Sequence, residues 1–211
     1  MTAILKVDTI QDTSGNNIIS ESSDTITIGA SGDTTNIIGT LQNNGSALSS
    51  GITEADQWRW NAHFTGDATP ITANWERNDT NFDKIGTGMS ESSGVFTFPS
   101  TGIYKIDSYT LLSLSGTSRY SEYIIKLSTD GGSNYNQSAY GYSSIFNDSA
   151  TVYTHNYAST IIDVTNVSNF KVTISITHQN TSTLVRGNTD FNTNATTFIR
   201  LGDTWWQIEN G

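Results

Sequence analysis

The stretch Ser92-Ser-Gly-Val-Phe-Thr-Phe-Pro-Ser-Thr-Gly-Ile-Tyr104 decides the fold. Only Thr97 separates Phe96 from Phe98, so in an extended chain both rings point to one side and Thr97 to the other. Pro99-Ser-Thr-Gly102 then supplies turn chemistry, a proline that presets φ and a glycine that lacks a Cβ clash. A second apolar run starts at Ile103. The stretch reads as strand, turn, strand, with Phe96 and Phe98 turned inward.

The same period-2 pattern extends outward from it. Trp58, Trp60, Ala62 and Phe64 fall on one face of a strand, and Phe170, Val172, Ile174 and Ile176 repeat this with a polar alternate. Further strands are expected at 94–98, 103–114, 121–128, 152–157 and 197–201. Asp130-Gly131, following Tyr123-Ile-Ile-Lys-Leu127, reads as a hairpin turn because both residue types favour positive φ. About eight short strands with turn signals between them imply an all-β sandwich of about 150 residues, most simply a jelly roll.

Composition agrees with that class. The chain has 211 residues and 22.9 kDa, enough for one domain with an extension and too little for two catalytic domains. Its 10 Lys and Arg against 20 Asp and Glu give a net charge of -10, which argues against a phosphate-neutralising surface and against a nucleic-acid partner. Charged residues are 14 % of the chain, against about 25 % typically, so Ser, Thr, Asn and Gly carry the surface and long helices are not expected. With 0 Cys there is no disulfide framework, thiolate metal site or cysteine nucleophile. The opening segment turns polar after Ile4-Leu5, too soon for a secretory signal, and no run approaches the roughly 18 apolar residues of a membrane span. A soluble chain without membrane insertion is expected.

Residues 1–50 read differently from the remainder. They contain no aromatic residue, and their apolar positions form short clusters at Ile4-Leu5, Ile18-Ile19, Ile26 with Ile28, and Ile37-Ile38. Thr25-Ile-Thr-Ile-Gly29 and Thr35-Asn-Ile-Ile-Gly39 look like one short strand unit used twice. Units that cannot bury an apolar face alone suit a β-rich fibrous stem closed by copies of the chain, with Ile26, Ile28, Ile37 and Ile38 at the interface. The alternative is a flexible polar tail. Thr53 followed by Asp56 resembles a capping box, so a helical turn is expected at 51–57 as linker to a head at 58–211.

Gly94, Phe96, Pro99, Gly102 and Tyr104 stand in the register Gly-x-Phe-x-x-Pro-x-x-Gly-x-Tyr, which resembles the core motif of complement and tumour-necrosis-factor-like globular heads. The stretch Asn194-Ala-Thr-Thr-Phe-Ile-Arg-Leu-Gly202 is similar to their closing strand. The likeness covers roughly residues 58 to 203 and implies a homotrimeric jelly-roll head. The opening Ile4-Leu-Lys-Val-Asp-Thr-Ile-Gln-Asp-Thr-Ser-Gly-Asn-Asn17 and the string Gly51-Ile-Thr-Glu-Ala-Asp-Gln-Trp-Arg59 resemble virion appendage proteins of marine tailed bacteriophages, cyanophages in particular. That resemblance implies an N-terminal segment docked on other virion proteins and a head displayed on the virion surface. The collagen-like stalk of animal relatives is absent.

Site signals are sparse. None of the three His has a partner at metal-ligand spacing, Gly141-Tyr-Ser-Ser-Ile145 fails as a hydrolase elbow, and paired acids such as Asp79 and Asp83 read as solvated loop charges. No catalytic residue, metal site or cofactor is expected. One cluster stands out: Tyr135, Tyr140, Tyr142, Tyr153, His155 and Tyr157 lie within about 23 residues. Tyr faces beside Asn and Ser suit a sugar ring, and Tyr also packs about a three-fold axis in heads of this kind. Tyr153, His155 and Tyr157, which share one strand face, are assigned to the trimer interface. The Gly-rich loop bearing Tyr135 and Asn136, with Tyr140 and Tyr142, is assigned to ligand contact. The expected role is a trimeric virion fibre or appendage whose head binds a host-surface glycan or protein, the alternative being a capsid- or tail-decorating fibre without a receptor.

Overall fold

Short β-branched runs in the N-terminal part pair with their sequence neighbours. In the computed structural model β1 (Thr9–Gln11), β2 (Asn17–Ser22) and β3 (Thr25–Ile28) form an antiparallel meander, and β4 (Gln42–Asn43) pairs with β5 (Ser46–Ala47). The structure describes residues 9–11, 13–15, 17–22, 25–29, 32–39, 41–43, 46–47, 51–146 and 150–204; the Ile4-Leu5 cluster lies outside them. The chain divides into two compact units, Met1–Ser49 and Ser50–Gly211.

Register within the first unit aligns Ile10 with Ile19 and Ile19 with Ile28, a cross-strand row of isoleucines that period-2 reading alone could not align. Ile26 is 69 % exposed and Ile28 56 %. The repeat reading needs correction here, because 33–38 forms no strand: Ile37 and Ile38 lie in irregular chain with no strand partner among the described residues. Ile38 is 95 % exposed.

The second unit is a two-sheet sandwich. Its strands are β6 (Ala55–Trp60), β7 (Phe64–Thr65), β8 (Trp75–Arg77), β9 (Lys84–Ile85), β10 (Ser90–Ser92), β11 (Val95–Thr97), β12 (Gly102–Leu114), β13 (Ser118–Ser128), β14 (Asn136–Ile145), β15 (Val152–Val164), β16 (Lys171–His178), β17 (Leu184–Val185) and β18 (Asn194–Gly202). One sheet runs β10-β11-β16-β13-β14; the other runs β7-β17-β12-β18-β6-β8, with β15 also on β12 and β9 on β6. Every strand pairing is antiparallel.

The inward residues interleave as the opening motif requires. Phe96, Tyr123, Ile125, Val172, Ile174 and Ile176 from the first sheet, and Phe98 just past the end of β11, meet Trp60, Tyr104, Ile106, Leu112 and Phe198 from the second in one buried cluster. Phe96 is wholly buried and stacks edge-on against Trp58 and Trp75, while Thr97 stays half-buried on the other side. Gly94 precedes it at φ 81, and a Cβ there would sit 2.1 Å from the Ile71 carbonyl oxygen, so the motif's first glycine is demanded by a close backbone approach. Tyr123 links the sheets through a polar chain, its hydroxyl 2.6 Å from Ser108 Oγ, which lies 2.6 Å from Thr196 Oγ1. Burial pushes that phenol well above its usual pKa.

Two local expectations fail for tertiary reasons. No helical turn forms at 51–57; Ala55 and Asp56 pair with Ile199 and Phe198 on one side and with Ile85 and Lys84 on the other. Asp56 caps nothing: its buried carboxylate takes the Trp58 indole N–H at 2.9 Å, the Met89 amide at 2.7 Å and the Arg77 guanidinium at 3.0 Å. The Trp58-to-Phe64 strand stops at Trp60, leaving Ala62 exposed, because the Asn61 amide turns to the Asn74 carbonyl. Arg59, between the two Trp, is 1 % exposed and held by Glu76 at 3.1 Å and Asp79 at 2.9 Å. It also donates to the Thr189 carbonyl, joining two distant loops.

Candidate functional site

On β13, Glu122, Ile124 and Lys126 alternate with the core residues Tyr123 and Ile125, so they form the outer face of the five-stranded sheet. β14 sets Tyr142 opposite Glu122 and Tyr140 opposite Ile124, and β16 sets Thr177, Ser175 and Thr173 opposite Glu122, Ile124 and Lys126. Tyr140 and Tyr142 are 59 % and 58 % exposed and meet edge to face, ring centres 5.5 Å apart. The Tyr142 hydroxyl donates to Glu122 Oε1 at 2.7 Å, and this bond raises the phenol pKa. The result is a solvent-exposed aromatic pair beside hydroxyl and carboxylate groups.

Tyr135 enters the same face from the loop between β13 and β14, and Asn136 opens β14 in exposed position opposite Leu127. The two-residue hairpin expected at Asp130-Gly131 is instead a seven-residue loop, 129–135. It is organised by Asp130, whose carboxylate accepts from the Asn134 side chain at 2.7 Å, the Asn134 amide at 3.0 Å and Ser128 Oγ at 2.7 Å. Those bonds, Asn134's first, hold the carboxyl down to about 2. The loop expected to be unpacked is thus built around its own acid, and Tyr135 is half-buried.

Tyr153, His155 and Tyr157 lie on the other sheet. They project from β15 opposite Ser113, Leu111 and Tyr109 of β12, on the outer face. Tyr153, Tyr157 and Ile161 are 53 %, 56 % and 61 % exposed. The Tyr157 hydroxyl and Ser159 Oγ each donate to Asp107 Oδ1 at 2.6 Å, and Lys105 Nζ stands 2.8 Å from Oδ2. Partial burial pushes Asp107 up, but the bonds from Lys105, Ser159 and Tyr157 outweigh it and hold the carboxyl below its ordinary value. Arg186 covers the Tyr153 ring at 5.3 Å and donates to its hydroxyl at 3.2 Å.

The aromatic cluster that is contiguous in sequence is therefore divided between the two outer faces of the sandwich. The residues that pattern reading missed flank the cluster in the chain, Lys126 before it and Thr173 and Ser175 after it. Thr173 and Ser175 belong to the polar alternate of β16, and both are buried. The chain around Thr69-Pro70, joined to β16 by the Ala68–Ile176 bridge and the Ile71 amide on Ile174, lies beside them, and Tyr135 closes the other side. The three His are scattered: His178 faces Ser121 Oγ at 2.8 Å, His63 accepts from the Gly187 amide at 2.8 Å, and His155 is exposed. Among the described residues no three potential metal ligands converge.

No family model matches this chain, and no curated protein matches it. Solved structures do. Murine APRIL at pH 5.0 superposes over 70 % of this chain and 98 % of its own with TM-score 0.50 at 12 % identity. Eiger TNF from S. frugiperda superposes over 71 % and 93 % with TM-score 0.50 at 9 % identity. The fold is a tumour-necrosis-factor-like jelly roll. At such identities the likeness to these heads is one of architecture, and it agrees with the Gly94-to-Tyr104 motif.

Proposed function

We propose that this chain is a virion appendage or fibre protein whose tumour-necrosis-factor-like head trimerises through the eight-stranded sheet and binds a host-surface glycan through the five-stranded sheet. The observation that carries this reading is the division of exposed aromatic residues between two opposite faces. A face bearing Tyr153, Tyr157 and Ile161 in a row along one strand suits burial against copies of itself, as the apolar centre of an oligomer interface does. A second face bearing Tyr140 and Tyr142 among hydroxyl groups suits the C–H side of a pyranose with polar partners for its edge. Three copies would turn millimolar single-site contacts into useful avidity on a cell. The N-terminal unit, with its exposed isoleucines, supplies the stem and the attachment to other virion proteins.

The reading is tested by replacing Tyr140 and Tyr142 together with Ser and measuring attachment of the purified protein to host cells. Both side chains are more than half exposed, so the variant is expected to keep its melting temperature and lose attachment. Attachment that persists unchanged moves the site elsewhere. A wild-type head with no affinity for any host envelope favours the decorating-fibre role instead.

A further inference from the structure

Next to the Tyr140–Tyr142 pair, the outer face of the five-stranded sheet is indented by a cleft of about 220 Å³. Thr173 and Ser175 form its buried floor, Pro70 and Val95 line one side, and the half-buried Tyr135 and Lys126 line the other. Val95, Thr173 and Lys126 stand in one cross-strand row, so the sheet itself sets their spacing. The volume is below the roughly 300–1,000 Å³ of pockets that take drug-sized molecules, which limits an occupant to about one ring.

We propose that this cleft binds a single carboxylate-bearing pyranose, the acidic residue of a host-surface glycan. The proposal rests on the adhesive reading and gives that reading a ligand class. Its first support is Ser175 Oγ, a fully buried hydroxyl with no hydrogen-bond partner at the floor of the cleft. Buried polar groups are nearly always paired, so an orphan lining a cleft marks a position where a ligand hydroxyl completes the bond. The second support is Lys126, the cation in the lining, which has no acid within ion-pair distance among the described residues. The neighbouring Lys171 is turned away, its Nζ donating to the Val167 carbonyl at 3.1 Å, and Asp130 is occupied within its own loop. On a chain of net charge -10, a free ammonium beside neutral hydroxyls is a local place for one anionic group. One Lys beside neutral hydroxyls, with no Arg in the lining, balances the single charge of a carboxylate better than the double charge of a phosphate. Pro70, Val95 and the Tyr135 ring offer apolar surface for the C–H face of the sugar.

Saturation-transfer NMR on the 211-residue chain with sodium D-glucuronate, sodium D-galacturonate and neutral methyl glucoside tests this. Transfer to a uronate and little to the glucoside is expected, with uronate affinity falling about tenfold in Lys126→Gln through loss of the charge-assisted contact. Ser175→Ala is expected to weaken the uronate while leaving the melting temperature equal or raised, because it removes an unpaired hydroxyl; a structural hydroxyl would lower it. No transfer from either uronate, or equal transfer from acidic and neutral rings that Lys126→Gln does not change, overturns the proposal. Cell attachment without uronate binding would remove the cleft and keep the adhesive reading, and uronate binding without cell attachment would do the reverse.

Discussion

Phe96 and Thr97 are adjacent and carry opposite weight. Phe96 is wholly buried among Trp58, Trp75 and Phe198, so Phe96→Ala leaves a cavity and is expected to cost about 3–5 kcal/mol, whereas Thr97→Ala is expected to cost under about 1. Thermal melts giving equal losses would mean that the strand is turned the other way. His178 carries a pH dependence. Burial lowers its pKa from the usual 6.5 to about 4, partly offset by the Asp67 charge. Between those values the unfolded chain takes up a proton that the native state refuses, so this contribution is intact above about pH 6.5 and lost progressively down to about pH 4. Urea unfolding at pH 7 and pH 4.5 should show the decline, and His178→Gln should make it shallower; an unchanged slope would remove His178 as its source.

At the scale of elements, β14 belongs to one sheet and β15 to the other, and they meet where Gly141 faces Tyr157. A Cβ on Gly141 would lie 2.1 Å from the Tyr157 carbonyl oxygen, so Gly141→Ala must push the two sheets apart at this edge. A loss of about 1–3 kcal/mol is expected by calorimetry, the cost of overpacking; no loss would mean that the edge is loose. The crossing also explains what could be read from sequence. Phe96, Val172, Ile174 and Ile176 were legible because a residue on the inner face must be apolar whatever lies opposite. The sheet membership of β14 and β15 was not, since two strands separated by a few residues look alike whether they pair or cross. Nor was the burial of Thr173 and Ser175, which depends on Tyr135 and on chain about a hundred residues earlier. Thr53 and Asp56 misled for a related reason: a capping signal contributes about 1 kcal/mol, and pairing on both edges outweighs it.

For the whole molecule, the exposed row on β15 and the isoleucine row of the N-terminal meander are apolar surfaces that one chain does not cover. Light scattering is expected to give about 69 kDa, three copies of 22.9 kDa, and Ile161→Asp is expected to lower that mass towards the monomer. A wild-type monomer at micromolar concentration would exclude the trimer. The pairing of β6 with β18 has a different kind of consequence. Ala55 stands opposite Ile199, and the Arg200 amide donates to the Glu54 carbonyl at 2.9 Å, so the chain enters and leaves the jelly roll on adjacent strands about 5 Å apart. A domain with its two ends so close can be spliced into a surface loop of another protein while barely parting the flanking residues. The sandwich is thereby a transplantable part, one that recombination could move between carriers without redesigning either.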